Sequence, residues 1–387
     1  MSHAKLREEL NAIADNPILL KDISILPQNY TFEIPKTIWK IKATGSKIVA
    51  LQFPEGLLLY SCIISDILTK HTGCEVIIMG DVTYGACCVD DYTARSLGCE
   101  LLVHYGHSCL VPIQDTQGIH LLYVFVNINI NLSHAIDSIS QNIDKNKKVA
   151  LVSTVQFVTS LNALKKHLES LDLKVFIPQC SPLSPGEILG CTSPKLPEDT
   201  DYILYVGDGR FHLESIMIQN PNVQALQYNP YNRVLSAEEY GYDLMLEKRK
   251  AAVKVAANSK IFGIIQGTLG RQGNVKIFKD MEAKLKERNL KYVRILMSEI
   301  FSPKLRLFDQ VECWVQVACP RLSIDWGTSF DKPLLTPFEL SWALNYTSIP
   351  DNAYPMDFYA FESLGPWTNN HPIHRPQRVR RKHVPLV

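Results

Sequence analysis

Three stretches of the chain share one order of apolar and polar positions. Each opens with a lysine-flanked apolar run of strand length and continues through a loop into an amphipathic helical pattern, and the three begin at Lys47, Lys147 and Lys260. In the third stretch, apolar residues recur at helical spacing and give the predicted helix one apolar face, at Ile277, Phe278, Met281 and Leu285. A repeated strand–loop–helix pattern predicts three related α/β domains.

Each helical pattern is followed by two more apolar runs of strand length. The second strands begin at Cys74, Leu173 and Leu290, and the third strands begin at Cys99, Asp201 and Val311. Further runs at His120 and Val223 extend the first two units. These runs are almost continuously apolar, which is typical of parallel strands covered by helices on both faces. The predicted fold is therefore α/β, with three similar small parallel-sheet domains.

The same pattern divides the chain into six segments. They are an N-terminal extension (1–46), three α/β domains (47–144, 145–235 and 260–360), a connecting helix (236–259) and a basic C-terminal tail (361–387). The connecting helix is predicted because Ser236 and Glu239 form a capping-box pattern. Between His374 and His383 the tail has five Lys or Arg and no acidic residue. This favours a solvated tail, with docking to RNA or to an acidic partner as the alternative.

Composition narrows the class of protein. The chain has 387 residues, of which 46% are hydrophobic and 20% are charged, as expected of a folded soluble protein. The net charge of +1 gives no whole-molecule field that would attract nucleic acid or a membrane, so neither is expected as a partner. The N-terminal residues are charged and lack the apolar segment of a secretory signal, which predicts a cytoplasmic protein.

Ten cysteines are spread along the chain, and three of them lie where a site is expected. Cys87, Cys191 and Cys319 each lie in a loop rich in Gly or Pro after a predicted strand, one in each domain. Loops at the carboxyl ends of parallel strands form the edge of a sheet where ligands bind. Without an export signal, metal binding is a better interpretation than disulfides. These three thiols are therefore candidate ligands of one metal centre.

The spacing of the cysteines along the sequence does not decide which metal group binds, or whether Cys87 or Cys88 is the ligand. Unpaired thiolates in a dry interior would cost on the order of tens of kcal/mol, so they stay protonated or bind a metal. A 4Fe-4S cluster held by three cysteines leaves one iron free for a substrate, and zinc with three thiolates and a water is the rival. Cys88 is an alternative to Cys87, and Cys180 also lies in a site-facing segment. The other five cysteines are assigned to packing, and they are Cys62, Cys74, Cys99, Cys109 and Cys313.

Several longer motifs give the sequence a specific resemblance to a known family. They begin at Leu51 (LQFPEGLL), Gly80 (GDVTYGACCVDDYTA), Pro182 (PLSPGEILGCTSP), Gly207 (GDGRFHLE), Gly267 (GTLGRQGN) and Ala318 (ACPRLSIDWG). The chain resembles the subunit 1 family of the eukaryotic 2-(3-amino-3-carboxypropyl)histidine synthases, which act in the first step of diphthamide biosynthesis. The resemblance covers roughly residues 26 to 360. It implies three α/β domains in a pseudo-threefold arrangement around a central 4Fe-4S cluster, with Cys87, Cys191 and Cys319 as its ligands.

The resemblance also implies an activity and partners. The implied enzyme is a transferase of a non-standard radical type, with S-adenosyl-L-methionine as co-substrate. An electron from the cluster cleaves the bond between sulfur and the γ-carbon, and the 3-amino-3-carboxypropyl radical adds to C2 of a histidine imidazole in translation elongation factor 2. The implied partners are subunit 2, in a heterodimer, and a small iron-binding electron-donor protein.

Polar residues at two strand ends are candidates for binding S-adenosylmethionine. Gly267, Thr268 and Arg271 belong to a Gly-rich turn that resembles an anion cradle for the methionine carboxylate, with an ordinary strand-to-helix turn as the alternative. Asp208 and Arg210 end a strand at the same rim, where they either contact the cofactor or pair with each other.

Three further polar residues lie at the predicted rim. Asp325 is a candidate for binding the amine of the co-substrate, and capping of a following turn is the alternative. His104 and His107 flank a strand end, where a structural histidine is more common than a ligand or a proton donor.

Two other functions use a similar site. Quinolinate synthase and related dehydratases also resemble three α/β units around a three-cysteine cluster, but their open iron is a Lewis acid that removes water. A non-catalytic partner subunit, with a cluster or zinc as structural support, is the second alternative. The motifs resemble the synthase more closely, and the presence of all three cysteines favours the catalytic role.

Overall fold

The structure is a computed structural model that describes residues 3–83, 85–116, 118–349 and 353–374. It confirms the predicted α/β fold, because three main sheets of parallel or mostly parallel strands follow the three repeated stretches. These sheets and the helices around them are called the first, second and third units. A pseudo-threefold relation between the units stays a prediction.

The N-terminal segment forms helices that pack on the first sheet. Its elements are α1 (His3–Ala14), α2 (Pro17–Ile23), β1 (Tyr30–Thr31) and α3 (Ile34–Thr44). Asn16 caps α2 by accepting hydrogen bonds from two backbone amides, and α3 ends at Gly45, which is left-handed. Apolar residues of α3 enter the core of the first unit, so the predicted extension contributes to that core.

The first unit contains a four-stranded parallel sheet. Its elements are β2 (Ile48–Gln52), α4 (Glu55–Leu58), α5 (Ser61–Thr72), β3 (Glu75–Met79), α6 (Asp91–Ser96), β4 (Leu101–Tyr105) and β5 (His120–Val124). The strand order is β3-β2-β4-β5. Val49, Ala50 and Leu51 of β2 are fully buried, because apolar clusters cover both faces of the sheet. After it, β6 (Asn127–Ile128) pairs with β1, and α7 (Ser133–Asn142) leads to the second unit.

The second unit has a five-stranded sheet with one antiparallel edge. Its elements are β7 (Lys148–Ser153), α8 (Val158–Ser170), β8 (Lys174–Phe176), β9 (Tyr202–Val206), α9 (Phe211–Gln219), β10 (Gln224–Asn229) and β11 (Val234–Glu238). The strand order is β11-β10-β9-β7-β8, in which β11 alone is antiparallel to its neighbour.

The start of the connecting helix differs from the prediction. The helix α10 (Tyr242–Ala256) begins after Gly241, whereas Ser236 lies in β11, where its hydroxyl donates to Glu238. The capping box predicted at Ser236 and Glu239 was therefore wrong. The antiparallel pairing of β11 with β10 holds this stretch in an extended conformation, and that pairing outweighs the local helix signal.

The third unit has a four-stranded parallel sheet in the order β13-β12-β14-β15. Its elements are β12 (Ile261–Gly267), α11 (Val275–Glu287), β13 (Lys291–Met297), α12 (Ser302–Leu305), β14 (Cys313–Val317), α13 (Pro320–Trp326), β15 (Leu334–Leu335) and α14 (Pro337–Ala343). Short 3-10 turns lie at Ile113–Asp115, Val155–Phe157, Gly327–Ser329 and Pro372–His374. Within the described ranges, no helix is long and apolar enough to cross a bilayer.

The segment 353–374 packs against the third unit. The ring of Trp367 lies 5.5 Å from that of Phe338, and the side-chain amide of Asn370 donates to the carbonyl of Tyr359 at 2.6 Å. The segment predicted as a separate tail from residue 361 therefore packs on the third unit as far as His374, because apolar side chains such as Trp367 enter its core. The basic residues from Arg375 onward lie outside the described residues.

A buried ion pair attaches α10 to the third unit. The guanidinium of Arg249 donates from Nε and Nη2 to the two carboxylate oxygens of Glu339, both at 2.6 Å, and from Nη2 to the carbonyl of Leu334 at 2.8 Å. The side chains of Arg249 and Glu339 are only 2% and 0% exposed. A buried charge of this kind depends on its partner, because water cannot replace the lost hydrogen bonds.

Removal of this ion pair is expected to destabilise the third unit. Arg249→Ala leaves the Glu339 carboxylate buried and unpaired, which should lower the free energy of unfolding by about 3–5 kcal/mol in urea denaturation. Lys250→Ala on the same helix is the control, because Lys250 is exposed. Equal unfolding midpoints for the two variants would contradict the importance of the pair.

Candidate metal centre

Cys87, Cys191 and Cys319 line a single cavity of about 310 Å³. Each cysteine comes from a different unit, and one apolar cluster that draws residues from all three units packs around them. The structure therefore brings together the three thiols that the loop argument selected, at the carboxyl-terminal edges of the sheets.

The loop of Cys87 follows β3 and lies against the third unit. The backbone amide of Arg271 donates to the carbonyl of Cys87 at 2.8 Å. Gly270 has a φ of +53°, and a Cβ at this position would lie 2.7 Å from the backbone of Cys88. Glycine is required here, because a side chain would separate the two loops.

The loop of Cys191 is closed by a short antiparallel bridge between Leu189 and Thr192. The amide of Phe358 donates to the carbonyl of Cys191 at 3.3 Å, and the amide of Tyr359 donates to the hydroxyl of Thr192 at 3.0 Å. The C-terminal segment thus fixes this loop from one side.

Cys319 occupies the N-cap position of α13, and Pro320 is the first residue of that helix. The side-chain amide of Gln316 donates to the carbonyl of Cys319 at 2.8 Å. Gly267 at the end of β12 lies beside this loop, where a Cβ would be 2.6 Å from the Cβ of Ala318. The close packing of these two strand ends fixes the position from which Cys319 enters the cavity.

The surroundings of the three thiols raise their pKa values. A hydrogen bond with Cys88, together with burial, raises the pKa of Cys87 well above its usual range. Burial and the nearby Cys319 raise the pKa of Cys191 to about 12, and burial raises the pKa of Cys319. At neutral pH the metal-free thiols are therefore protonated, and a metal must displace their protons to bind.

Tyr359 lies close to all three cysteines. Burial raises the pKa of its phenol well above the usual range, and Cys87, Cys191 and Cys319 each raise it further. The phenol forms a hydrogen bond with Cys87 and stays protonated, so it can donate to a ligand sulfur. Tyr359 ends the stretch YPMDFY, which begins at Tyr354. Nothing in the pattern of this stretch indicated contact with the cysteines.

Arg321 joins the loops of two of the cysteines. Its side chain is 3% exposed, and Nη1 donates to the carbonyls of Gly190 at 3.1 Å and Phe211 at 2.7 Å. Its charge is balanced by Glu214, 2.5 Å from Nη2, and by Asp325, 2.9 Å from Nε. Because Gly190 directly precedes Cys191 and Arg321 is two residues after Cys319, this side chain sets the relative position of both thiols.

The structure brings only one of the six predicted co-substrate residues to the cavity wall. That residue is Asp325, which pairs with Arg321 and whose pKa is raised by burial. Arg271 instead donates to the carboxylate of Asp91, with Nε 2.8 Å from Oδ1, and lies over the ring of Tyr92. The Gly-rich turn at Gly267, Thr268 and Arg271 therefore connects the third unit to the first. These contacts favour the structural alternative, a strand-to-helix turn, over an anion cradle.

The expected pairing between Asp208 and Arg210 is also absent. Arg210 donates to the carboxylates of Glu238 and Glu214 and to the carbonyl of Glu239. The backbone carbonyl of Asp208 accepts a hydrogen bond from the hydroxyl of Tyr205 at 3.1 Å. Arg210 therefore connects α9 to β11 and does not contribute to the cavity wall.

Two histidines from different units lie in the cavity wall. Burial lowers the pKa values of His107 and His212 to about 4, so both imidazoles are neutral at physiological pH. The sequence favoured a structural role for His107, whereas the structure places it in the wall of the cavity. His212 was not among the residues selected from the sequence. His104 does not line this cavity, and its Nδ1 lies 2.9 Å from the side-chain oxygen of Gln52.

The two ambiguous cysteines lie outside the cavity wall. Cys88 is buried behind Cys87, and the side-chain amide of Gln272 lies 3.4 Å from its sulfur. Cys180 lines a separate cavity beside Asp357 and Glu362. Cys87 is therefore the better ligand candidate in its loop.

The donor set bears on the kind of metal group that the cavity can hold. A zinc ion takes its thiolate sulfurs at about 2.3 Å from the metal, whereas a polynuclear group takes one sulfur at each of several metal atoms. Among the described residues, no group of three or more His, Cys, Asp and Glu side chains is already placed to hold one ion. The three thiols share one cavity, and both kinds of metal group use thiolate ligands.

Metal binding at this centre is expected to strengthen as the pH rises. The raised pKa values keep the thiols protonated at neutral pH, so binding releases protons and becomes tighter towards alkaline pH. Anaerobic titration of the metal-free chain with ferrous ion should show higher affinity at about pH 9 than at about pH 7, with proton release in unbuffered solution. Cys62→Ala is the control, and a pH-independent affinity would contradict the assigned thiols.

Comparison with known proteins gives one consistent result. The family model described as "Putative diphthamide synthesis protein" matches residues 53–355. The protein named 2-(3-amino-3-carboxypropyl)histidine synthase subunit 1 of Caenorhabditis elegans is 61% identical over 96% of this chain and 94% of its own length. Its namesake from Homo sapiens is 55% identical over 96% of this chain and 84% of its own length.

A solved structure is similar over most of the fold. The crystal structure of Dph2 from Pyrococcus horikoshii with a 4Fe-4S cluster matches with a TM-score of 0.71 and 27% sequence identity, over 85% of this chain and 94% of that chain. From the family match and the near full-length relatives, the chain belongs to the diphthamide synthesis family and groups with the chains named 2-(3-amino-3-carboxypropyl)histidine synthase subunit 1.

Proposed function

We propose that the chain is the catalytic subunit of the first step of diphthamide biosynthesis. It transfers a 3-amino-3-carboxypropyl radical from S-adenosylmethionine to C2 of a histidine imidazole in translation elongation factor 2. The observation that carries the proposal is the cavity in which Cys87, Cys191 and Cys319 meet, one from each unit. The relatives' shared name, which states a histidine-modifying synthase, supports the same reaction.

The donor set of the cavity fits a 4Fe-4S cluster. Three thiols in one cavity are soft ligands, which iron–sulfur clusters and zinc prefer. The similar Dph2 structure contains a 4Fe-4S cluster, which supports the same group here. When bound, the cluster supplies the electron that breaks the bond between the sulfur and the γ-carbon of S-adenosylmethionine.

The residues around the thiols create the conditions for radical chemistry. Apolar side chains such as Leu110 and Leu189 form part of the wall and limit the access of water, which would otherwise intercept a reactive intermediate. Asp325 and Arg321 both lie in the wall, and Nε of Arg321 donates to the two oxygens of the Asp325 carboxylate at 2.9 Å. The imidazoles of His107 and His212 are neutral, so these two side chains add no charge to the wall.

Partners and location complete the proposal. The relatives are named as a subunit 1, which supports assembly with a second subunit. We therefore propose a heterodimer with diphthamide synthase subunit 2, reduction by a small iron-binding electron-donor protein, and a cytoplasmic location. The dehydratase alternative is not favoured, because the near full-length relatives are named 2-(3-amino-3-carboxypropyl)histidine synthase subunit 1. The presence of Cys87, Cys191 and Cys319 in one cavity favours a catalytic over a structural subunit.

The ligand assignment predicts a specific set of losses. Cys87→Ala, Cys191→Ala and Cys319→Ala should each lose the cluster, whereas Cys88→Ala should retain about four irons per chain. Anaerobic purification with iron and sulfide analysis, an EPR spectrum after dithionite, and release of methylthioadenosine from S-adenosylmethionine are the measurements. Stoichiometric zinc without iron in the wild type, or an intact cluster in any of the three variants, would refute the proposal.

Arg321 is expected to control how firmly the cluster is held. Arg321→Leu removes the hydrogen bonds to the carbonyls of Gly190 and Phe211, which fix the Cys191 loop. Loss of such supporting contacts should weaken metal retention about 10- to 100-fold, measured as iron loss to a chelator over time. Arg210→Leu is the matched control, because Arg210 also pairs with Glu214 but lies away from the cavity. Equal iron loss from the two variants would contradict the role of Arg321.

A further inference from the structure

Two aromatic side chains at the mouth of the cavity are exposed to solvent. Trp326, at the end of α13, is 64% exposed, and Phe211, the first residue of α9, is 44% exposed. Both also line the cavity that contains the three cysteines. Exposed large aromatic surface beside a reaction site marks a contact that another molecule completes.

Phe211 is fixed in place by its neighbours. The guanidinium of Arg321 lies over its ring, 4.5 Å from the centroid. A Cβ at Gly190 would collide with the ring, so the glycine before Cys191 makes room for this side chain. The ring therefore belongs to the packed surroundings of the Cys191 loop, and the residue is still 44% exposed.

Trp326 has no such internal partner. Within the part of the chain that the structure describes, neither a hydrogen bond nor a ring contact engages its indole. Its backbone is nevertheless well held, because α13 begins at the Cys319 loop and Arg321 pairs with Asp325 immediately before it. The backbone of Trp326 is therefore held in place near Cys319, while its indole is exposed to solvent.

The degree of exposure favours a large partner. Trp326 lines the cavity, and 64% of its surface is still accessible to solvent. A partner that covers the mouth would bury such a side chain, and tryptophan is enriched among the residues that dominate protein–protein affinity.

We propose that Phe211 and Trp326 form the docking surface for the acceptor protein at the entrance to the cavity. The inference rests on the proposed function, because it identifies the occupant as the histidine-bearing loop of the acceptor.

The test uses the anaerobically reconstituted chain with its partner subunit and unmodified translation elongation factor 2. Trp326→Ala and Phe211→Ala should raise the KM for the elongation factor, and the Kd from biolayer interferometry, by about 10- to 30-fold. The KM for S-adenosylmethionine should change much less, and Trp326→Phe should restore most of the binding. Leu307→Ala is the control, because Leu307 is 81% exposed and lies outside the cavity.

Each alternative gives a different result. Unchanged KM and Kd for the elongation factor would overturn the docking surface. Loss of binding to the partner subunit in Trp326→Ala or Phe211→Ala would also overturn it, because the rings would then belong to the interface of the heterodimer. An equal rise in the KM for S-adenosylmethionine would overturn it as well, because the rings would then serve the nucleoside. A wild-type protein that neither releases methylthioadenosine nor transfers the group would refute the proposed function instead, and the Kd values would still test the docking surface independently.

Discussion

The buried guanidinium of Arg321 connects the parts of the chain that hold the metal centre. It donates to the carbonyls of Gly190 and Phe211 in the second unit while its own backbone follows Cys319 in the third. A buried cation needs a paired negative charge. Glu214 and Asp325 supply that charge to Arg321, so the buried position of its guanidinium depends on both carboxylates. The position of two thiols and the orientation of Phe211 all depend on this one set of contacts.

Burial affects both the protonation of the thiols and their use as metal ligands. Burial and mutual proximity raise the pKa values of Cys87 and Cys191, so both thiols are neutral at physiological pH. Binding of a metal group would release these protons, because thiolates are the ligands. Metal binding would therefore depend on pH, and the apolar side chains of the wall also limit the access of water.

Much of this arrangement could be predicted from sequence. Repeated apolar runs predicted the three sheets, because buried parallel strands have a strong local signature, and loop position selected Cys87, Cys191 and Cys319. Contacts between distant segments could not be predicted. The Gly-rich turn predicted that Arg271 binds an anion, whereas its guanidinium pairs with Asp91 of the first unit, which is distant in the sequence. The capping pattern at Ser236 predicted a helix, but the pairing of β11 with β10 holds this residue in a strand. Tyr359 is close to the thiols only because distant segments of the chain pack together.

The central claim is that one polynuclear iron centre lies where the three units meet. An anaerobic crystal structure of the reconstituted protein, with anomalous data collected on both sides of the iron edge, tests this most directly. The account predicts one compact iron feature in the cavity, in contact with the sulfurs of Cys87, Cys191 and Cys319 and with one iron free of protein ligands. A single metal atom, iron bound through Cys88 or Cys180, or an iron feature outside this cavity would contradict it.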